Sequence, residues 1–236
     1  ISFLKKRRVS ASNNMPLFLT VGLAGPHSPY RAPKEYYNQA YARMKASDSL
    51  VPIEHVPINK WDKKYLEFEN LIGITEEQII RSRVSYAAMI DYMDEQIGQV
   101  ITEAKKLQSP TILIYISDHG DMMGEKRMFA KKCLYEPSVK VPMLITQISP
   151  NNQNSKMRKG EKIDVPISLL DLGPTIIALA ESYKLPNAVG QSFCEMLYKN
   201  SSNEKLHQFH VRPVVSELHI GWTRPIRMLR MNNYKL

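Results

Sequence analysis

The sequence predicts an α/β protein, and three stretches predict it. Leu17 to Leu23 is a short apolar run that reads as a buried strand. Residues 75–107 repeat apolar side chains at helical spacing. Thr111 to Ser117 is a second strand, β-branched and apolar on both faces, as expected of a central parallel strand. Strand, helix and strand in that order is the alternation of the α/β class.

Each element has a local reason. The opening residues look like the tail of a helix. The first strand follows Asn13-Asn14-Met15-Pro16 and runs into Gly25-Pro26-His27-Ser28-Pro29, a turn-forming stretch that cannot continue a strand. Residues 31–74, with Pro33, Pro52 and Pro57, are loop-rich and leave room only for short helices. Thr75-Glu76-Glu77-Gln78 is a capping box, in which threonine and glutamine each satisfy a backbone N–H of the other. Ile79, Ile80, Val84, Ala87, Ile90, Met93, Ile97, Val100, Ile101, Ala104 and Leu107 then share one helical face, and Ser109-Pro110 ends it. The strand from Thr111 stops abruptly at Asp118-His119-Gly120-Asp121. Val141 to Thr146 is a further strand, residues 149–162 a polar loop, Ile167 to Ala180 a helix around Pro174, and Val211 to Leu218 a strand. Arg227 to Leu236 reads as a hairpin whose second strand has barely begun, and the chain starts at Ile1 with no signal-like segment. Both ends suggest a piece of a longer protein.

Composition excludes several classes. At 236 residues, 43% apolar and 23% charged, the chain suits one large domain, or one domain and a small appendage, and is not disordered throughout. No apolar run approaches the roughly 18 to 20 residues that span a bilayer, so no membrane partner is expected. Cys133 and Cys194 cannot make a disulfide scaffold, and no C-x-x-C pair suggests structural zinc. The net charge of +9 favours anionic partners in general. The basic residues are scattered, from Lys5-Lys6-Arg7-Arg8 through Lys131-Lys132 to Arg224–Arg230, which describes a solvated basic surface and not a nucleic-acid groove.

In open α/β sheets, ligands bind beyond the carboxyl ends of the strands. One predicted strand leads to His27 and the other to Asp118 and His119. Aspartate offers a hard anionic oxygen, histidine a neutral nitrogen, and the following glycine a sharp turn, a combination suited to a divalent cation. The bland alternative is an aspartate capping a turn beside a surface histidine. Lys131, on the segment after this cluster, could reach back and clamp a tetrahedral anion as a point charge. His27, Asp118, His119 and Lys131 are therefore expected to converge on one cleft.

Several segments, in order, resemble the sulfatases of the alkaline-phosphatase superfamily, most of all the choline-sulfatase group, with iduronate-type sulfatases also similar. Phe18 to Tyr30, FLTVGLAGPHSPY, is similar to the family's strand and Pro-His-x-Pro turn. Tyr86 to Val100 resembles its signature helix, and Asp171 to Ala180, with Asp-Leu-x-Pro-Thr, its later helix. Ser117 to Pro142, SDHGDMMGEKRMFAKKCLYEPSVKVP, resembles its metal-and-lysine segment and is the specific part of the match. Met228 to Leu236 resembles the hairpin of its small C-terminal subdomain.

The resemblance implies an alkaline-phosphatase-like, mostly parallel sheet flanked by helices. Residues 1–205 would be the C-terminal portion of the catalytic domain and 206–236 the start of the small antiparallel subdomain. It implies Asp118 and His119 as metal ligands, and Lys131 and His27 as catalytic residues that also bind the sulfate group. The implied cation is calcium, with manganese or magnesium as alternatives because histidine is softer than calcium usually accepts. The implied activity is hydrolysis of a small-molecule or carbohydrate sulfate ester. Alternatives are a phosphodiester or phosphonate monoester hydrolase of the same superfamily, and a non-catalytic sulfatase-like protein. Secreted or lysosomal and cytoplasmic members both occur, so the compartment stays open.

The departures are specific. The family's nucleophile is a formylglycine made from the cysteine of C-x-P-S-R, or a serine in its place. Cys133 is followed by Leu-Tyr-Glu and Cys194 by Glu-Met-Leu, so this chain holds no nucleophile. The family's first acidic metal ligands and its Lys-x-His segment are also absent, and all would align before Ile1. Asp121 stands where other members vary, and Glu125-Lys126-Arg127 replaces a Gly-Glu-x-Gly turn. Glu217 and His219 could border a substrate pocket. His55, His207 and His210 have no partner legible in the sequence, and Asn200-Ser201-Ser202 is a glycosylation sequon if the protein is secreted.

Overall fold

The computed structural model describes residues 1–9, 16–50, 59–107, 109–149, 157–184, 186–200, 203–219 and 225–236. Asn13 to Met15, Pro52, His55, Pro57, Ser201, Ser202 and Arg224 lie outside them, so the expectations at those positions do too. The chain divides into two units, Ile1–Gln108 with Gly120–Lys131, and Ser109–His119 with Lys132–Leu236.

The first unit contains helices α1 (Ser2–Val9), α2 (Lys34–Ala46), α3 (Lys60–Phe68) and α4 (Glu76–Ala104). The capping box forms as expected. The Thr75 hydroxyl accepts from the Gln78 N–H at 3.2 Å, and the Gln78 side chain accepts from the Thr75 N–H at 2.9 Å. Thr75→Ala is therefore expected to cost about 1 kcal/mol, read as a shift in denaturant midpoint at constant slope. The centre of the unit is the crossing of α2 and α4. Ala40, Val84 and Ala88 are fully buried there, and Tyr36, Tyr37, Met44, Ile80 and Ala87 pack around them. Small residues at the crossing let the two backbones approach closely. Ile90, expected on the apolar face, is 40% exposed. The reason is length: α2 has 13 residues and cannot cover a helix of 29.

Leu17 to Leu23 does not form a strand. No ladder is assigned there, and Phe18 is 74% and Val21 50% exposed. A strand is defined by its partner, and among the described residues none pairs with this run.

The second unit opens with β1 (Thr111–Ile116). The strand is where the apolar run predicted it, but its pairing is a correction. It runs antiparallel to its partner, from Thr111 opposite Ile148 to Ile116 opposite Met143. A run that is apolar on both faces reports burial and carries no information on strand direction. The family's parallel arrangement is not present among the described ladders. The next elements in chain order are the hairpin strands β2 (Met122–Met123) and β3 (Phe129–Ala130) of the first unit, then α5 (Glu136–Val139) and β4 (Met143–Ile148), the partner of β1. Further on come α6 (Leu172–Leu179), α7 (Asn203–Val211) and the sheet β5 (Val214–Leu218), β6 (Ile226–Met231), β7 (Tyr234–Lys235). The hairpin expected at the end is β6–β7, turning at Asn232 with φ +51°. Val211, expected to begin a strand, instead closes α7.

The core of this unit is Phe193, Met196 and Phe209, packed by Met143, Ile145, Leu172 and Leu206 among others. Beside it lies a charge. Asp171 is fully buried; its Oδ1 accepts from Arg212 Nη1 at 2.9 Å and from the Gln191 N–H at 2.8 Å. Its Oδ2 accepts from the Ser168 N–H at 2.8 Å and from Arg212 Nη2. Burial works against the Asp171 charge, but the Arg212 hydrogen bonds and the two backbone donors outweigh it, so the carboxyl is held below its ordinary value.

Candidate active site

His27 and Lys131, 104 positions apart, meet in the first unit: Lys131 Nζ lies 2.8 Å from His27 Nε2. The other ring nitrogen, Nδ1, lies 2.7 Å from the Ser28 carbonyl. A carbonyl only accepts, so Nδ1 carries the proton. An ammonium only donates, so Nε2 is the bare acceptor. The hydrogen bonds thus select a neutral, Nδ1-protonated His27 facing a charged Lys131. His27 is exposed and Lys131 partly so, which leaves the pair open to an anion from solvent.

Lys131 owes its place to the β2–β3 hairpin. Met122 pairs with Ala130 and Met123 with Phe129, and both methionines are buried. The loop between them takes the left-handed conformation at Gly124 (φ +99°), Lys126 (φ +52°) and Arg127 (φ +62°), and Ala130 follows with φ +64°. Such values cost a non-glycine residue about 1–2 kcal/mol each. The turn is therefore kept without the family's glycine, and side chains hold it. Arg127 donates to the Ile74 carbonyl, and Tyr65 donates to the Phe129 carbonyl. Lys126 Nζ lies 3.5 Å from the buried Asp62 carboxylate.

Tyr30, three residues after His27, is bonded to the start of the hairpin. The Tyr30 hydroxyl donates to the Asp121 carboxylate, 3.0 Å from Oδ1 and 3.1 Å from Oδ2. The Tyr30 ring stands edge-on to Tyr86 at 6.0 Å and tilted against Phe129 at 6.2 Å. Burial, the Asp121 charge and the hydrogen bond to it push the Tyr30 phenol far up, so it stays a neutral donor. Neither residue stood out as functional in the sequence. The available signals were an aromatic closing the Pro-His-Ser-Pro turn and an acid opening the hairpin.

Asp118 and His119 lie in the second unit, directly after β1. Asp118 is 87% exposed, its Oδ1 accepts from the His119 N–H at 3.1 Å, and its Oδ2 lies 3.7 Å from His119 Nε2. The Ser117 hydroxyl donates to the His119 carbonyl at 2.8 Å. An exposed carboxylate beside an imidazole fits two positions of a divalent cation's shell. Among the described residues no group of three or more such ligands is gathered.

The remaining candidates also lie in the second unit. Glu217 spends its carboxylate on Arg227 at 2.6 Å across the β5–β6 ladder, with His219 3.9 Å away. His207 and His210 line a groove of about 320 Å³ with Arg158, Lys162 and Asp164. Cys133 is buried, and burial with the Glu195 charge pushes the Cys194 thiol up, the opposite of an activated nucleophile.

Comparison with known proteins places this geometry in context. The sulfatase family model matches residues 3–182. Arylsulfatase K of Mus musculus is 32% identical over 220 residues, covering 86% of this chain and 38% of that protein. The choline-sulfatase of Rhizobium meliloti is 31% identical over 173 residues, covering 70% of this chain and 31% of that protein. Among solved structures, the phosphonate monoester hydrolase of Agrobacterium radiobacter superposes with a TM-score of 0.70 at 18% identity, covering 99% of this chain and 50% of that one. The fold is thus alkaline-phosphatase-like, and the chain spans half or less of the length of each of these proteins.

Proposed function

The chain belongs to the sulfatase family, and from that premise we propose that the complete protein hydrolyses sulfate monoesters of a small molecule or carbohydrate. The observation that carries the reading is the 2.8 Å contact between Lys131 and His27, which joins the two segments that resemble the family's sulfate-facing ones. Residues 1–205 would then belong to the catalytic domain and 206–236 to the small C-terminal subdomain.

The residues divide the work by their chemistry. The Lys131 ammonium stabilises negative charge on the sulfuryl oxygens as the ester bond breaks. Of the pair, Lys131 is the one with a proton facing the site to hand to the departing alcohol, while the bare His27 Nε2 accepts from Lys131 and orients it. The Ser28 carbonyl holds the His27 ring in the tautomer that keeps Nε2 facing Lys131. Asp118 and His119 would hold two positions of a divalent cation, calcium by family, with manganese or magnesium as alternatives. A bound cation would supply Lewis-acid stabilisation of the nucleophile and of a sulfate oxygen. The attacking oxygen, a formylglycine, is proposed to lie on a segment outside this sequence, since neither Cys133 nor Cys194 has the C-x-P-S-R context.

The test is a direct comparison of 4-nitrophenyl sulfate with 4-nitrophenyl phenylphosphonate as substrates of the full-length protein. A higher kcat/KM for the sulfate ester is expected. A clear preference for the phosphonate would replace this reading with the phosphonate monoester hydrolase alternative, because the same clamp suits either tetrahedral anion.

A further inference from the structure

Tyr30 and Asp121 are 91 positions apart, and no motif pairs them, yet the structure joins them beside the reactive pair. His27 lies three residues before Tyr30 on one turn. Asp121 and Lys131 flank the same hairpin. Its register sets Met122 opposite Ala130, and Asp121 and Lys131 are the next residues outward along the two arms. The Tyr30 ring also lies against Phe129 of the same hairpin, with centroids 6.2 Å apart. The turn and the hairpin are therefore tied by two rungs, Tyr30 to Asp121 and His27 to Lys131.

The two rungs differ in kind. His27 is exposed, and its partner is a lysine with a long flexible stem, so by itself this contact is a weak restraint. Tyr30 is rigid, half-buried, packed on two aromatic rings and bonded to both oxygens of a carboxylate. We infer that Tyr30 and Asp121 are positioning residues: their hydrogen bond locks the Pro-His-Ser-Pro turn onto the hairpin, so that His27 meets Lys131 before substrate arrives. Neither touches the reacting atoms, and each acts through His27. This inference rests on the sulfatase reading for its consequence in catalysis, but not for the lock itself. Misplacing a reacting group by about 1 Å can cost on the order of 100-fold in rate, so a hydrogen bond remote from the chemistry can matter this much.

The experiment uses the full-length protein with Tyr30→Phe, Asp121→Ala and Asp121→Asn. Tyr30→Phe keeps the ring and removes only the hydroxyl. Asp121→Asn keeps an acceptor for that hydroxyl. Tyr30→Phe and Asp121→Ala are each expected to lower kcat for sulfate release by about 10- to 100-fold with little change in KM, and Asp121→Asn to recover most of the loss. In histidine-labelled protein, the His27 Nε2 shift should report a hydrogen bond accepted from Lys131 that is lost in Tyr30→Phe, while the local contact of Nδ1 with the Ser28 carbonyl remains. Variants that keep kcat within twofold, or a His27 Nε2 shift in Tyr30→Phe unchanged from the parent, would overturn the lock. If the parent protein releases no sulfate, the sulfatase reading fails, and the Nε2 measurement still decides the lock.

Discussion

Lys131→Ala in the complete protein is expected to lower kcat for a sulfate ester by roughly 10²–10³-fold, the usual loss when one preorganised donor to a developing anion is removed. Two features make Lys131 the sensitive position. It sits at the end of a hairpin strained at Lys126 and Arg127 in its loop and at Ala130 in β3, and tied down by Arg127 and Tyr65. Its ammonium already faces His27 Nε2, so no reorganisation is needed when charge develops. KM should change less than kcat, because the charge on the sulfuryl oxygens and the leaving oxygen grows towards the transition state. Lys131→Arg is not expected to restore the rate. A planar guanidinium is wider than an ammonium and cannot take the same point beside the imidazole. Steady-state kinetics of the three proteins on one ester checks this.

The largest expected effect on stability is at Arg212. Its guanidinium grips both oxygens of the fully buried Asp171. Removing one partner of a buried pair strands the other charge, at a cost of about 3–5 kcal/mol, a large part of a typical domain's roughly 5–15 kcal/mol. Arg212→Ala also removes the cation seated 4.7 Å from the Phe209 ring centroid. Thermal unfolding should show a midpoint lowered by roughly 10 °C. The pH dependence has a definite sign. The folded Asp171 carboxyl is held below its unfolded value. Its contribution is therefore complete above the unfolded pKa of about 3.9 and is lost as pH falls through the lower, folded value. Acid unfolding of the parent should carry this component, and Arg212→Ala should lack it.

What could be read from the sequence was what is local. The capping box at Thr75 and Gln78 and the periodicity behind it located α4 to within a few residues, because both depend on neighbours three and four positions apart. The β6–β7 hairpin was legible for the same reason. Partners distant in sequence were not. The run from Leu17 has every property of a strand except a ladder, and the run from Thr111 gave no hint that β4 would pair with it antiparallel. His27 and Lys131 were picked out by their places after the two apolar runs and given a role by the resemblance, with no spacing that would join them. Asp171 stood inside a recognised motif while Arg212, 41 positions on, did not. The lock between Tyr30 and Asp121 depends on the register of a four-residue ladder, which only the folded hairpin defines.

The central claim is that His27 and Lys131 act as one unit on the sulfuryl group, and a double-mutant cycle tests it most directly. Inorganic sulfate released by the full-length protein would be measured for the parent, His27→Ala, Lys131→Ala and the double variant. Groups that work through each other are strongly non-additive. The double variant is therefore expected to lose little more than the more damaged single variant, within about tenfold. Losses that multiply, or sulfate release that survives either single substitution, would contradict the account.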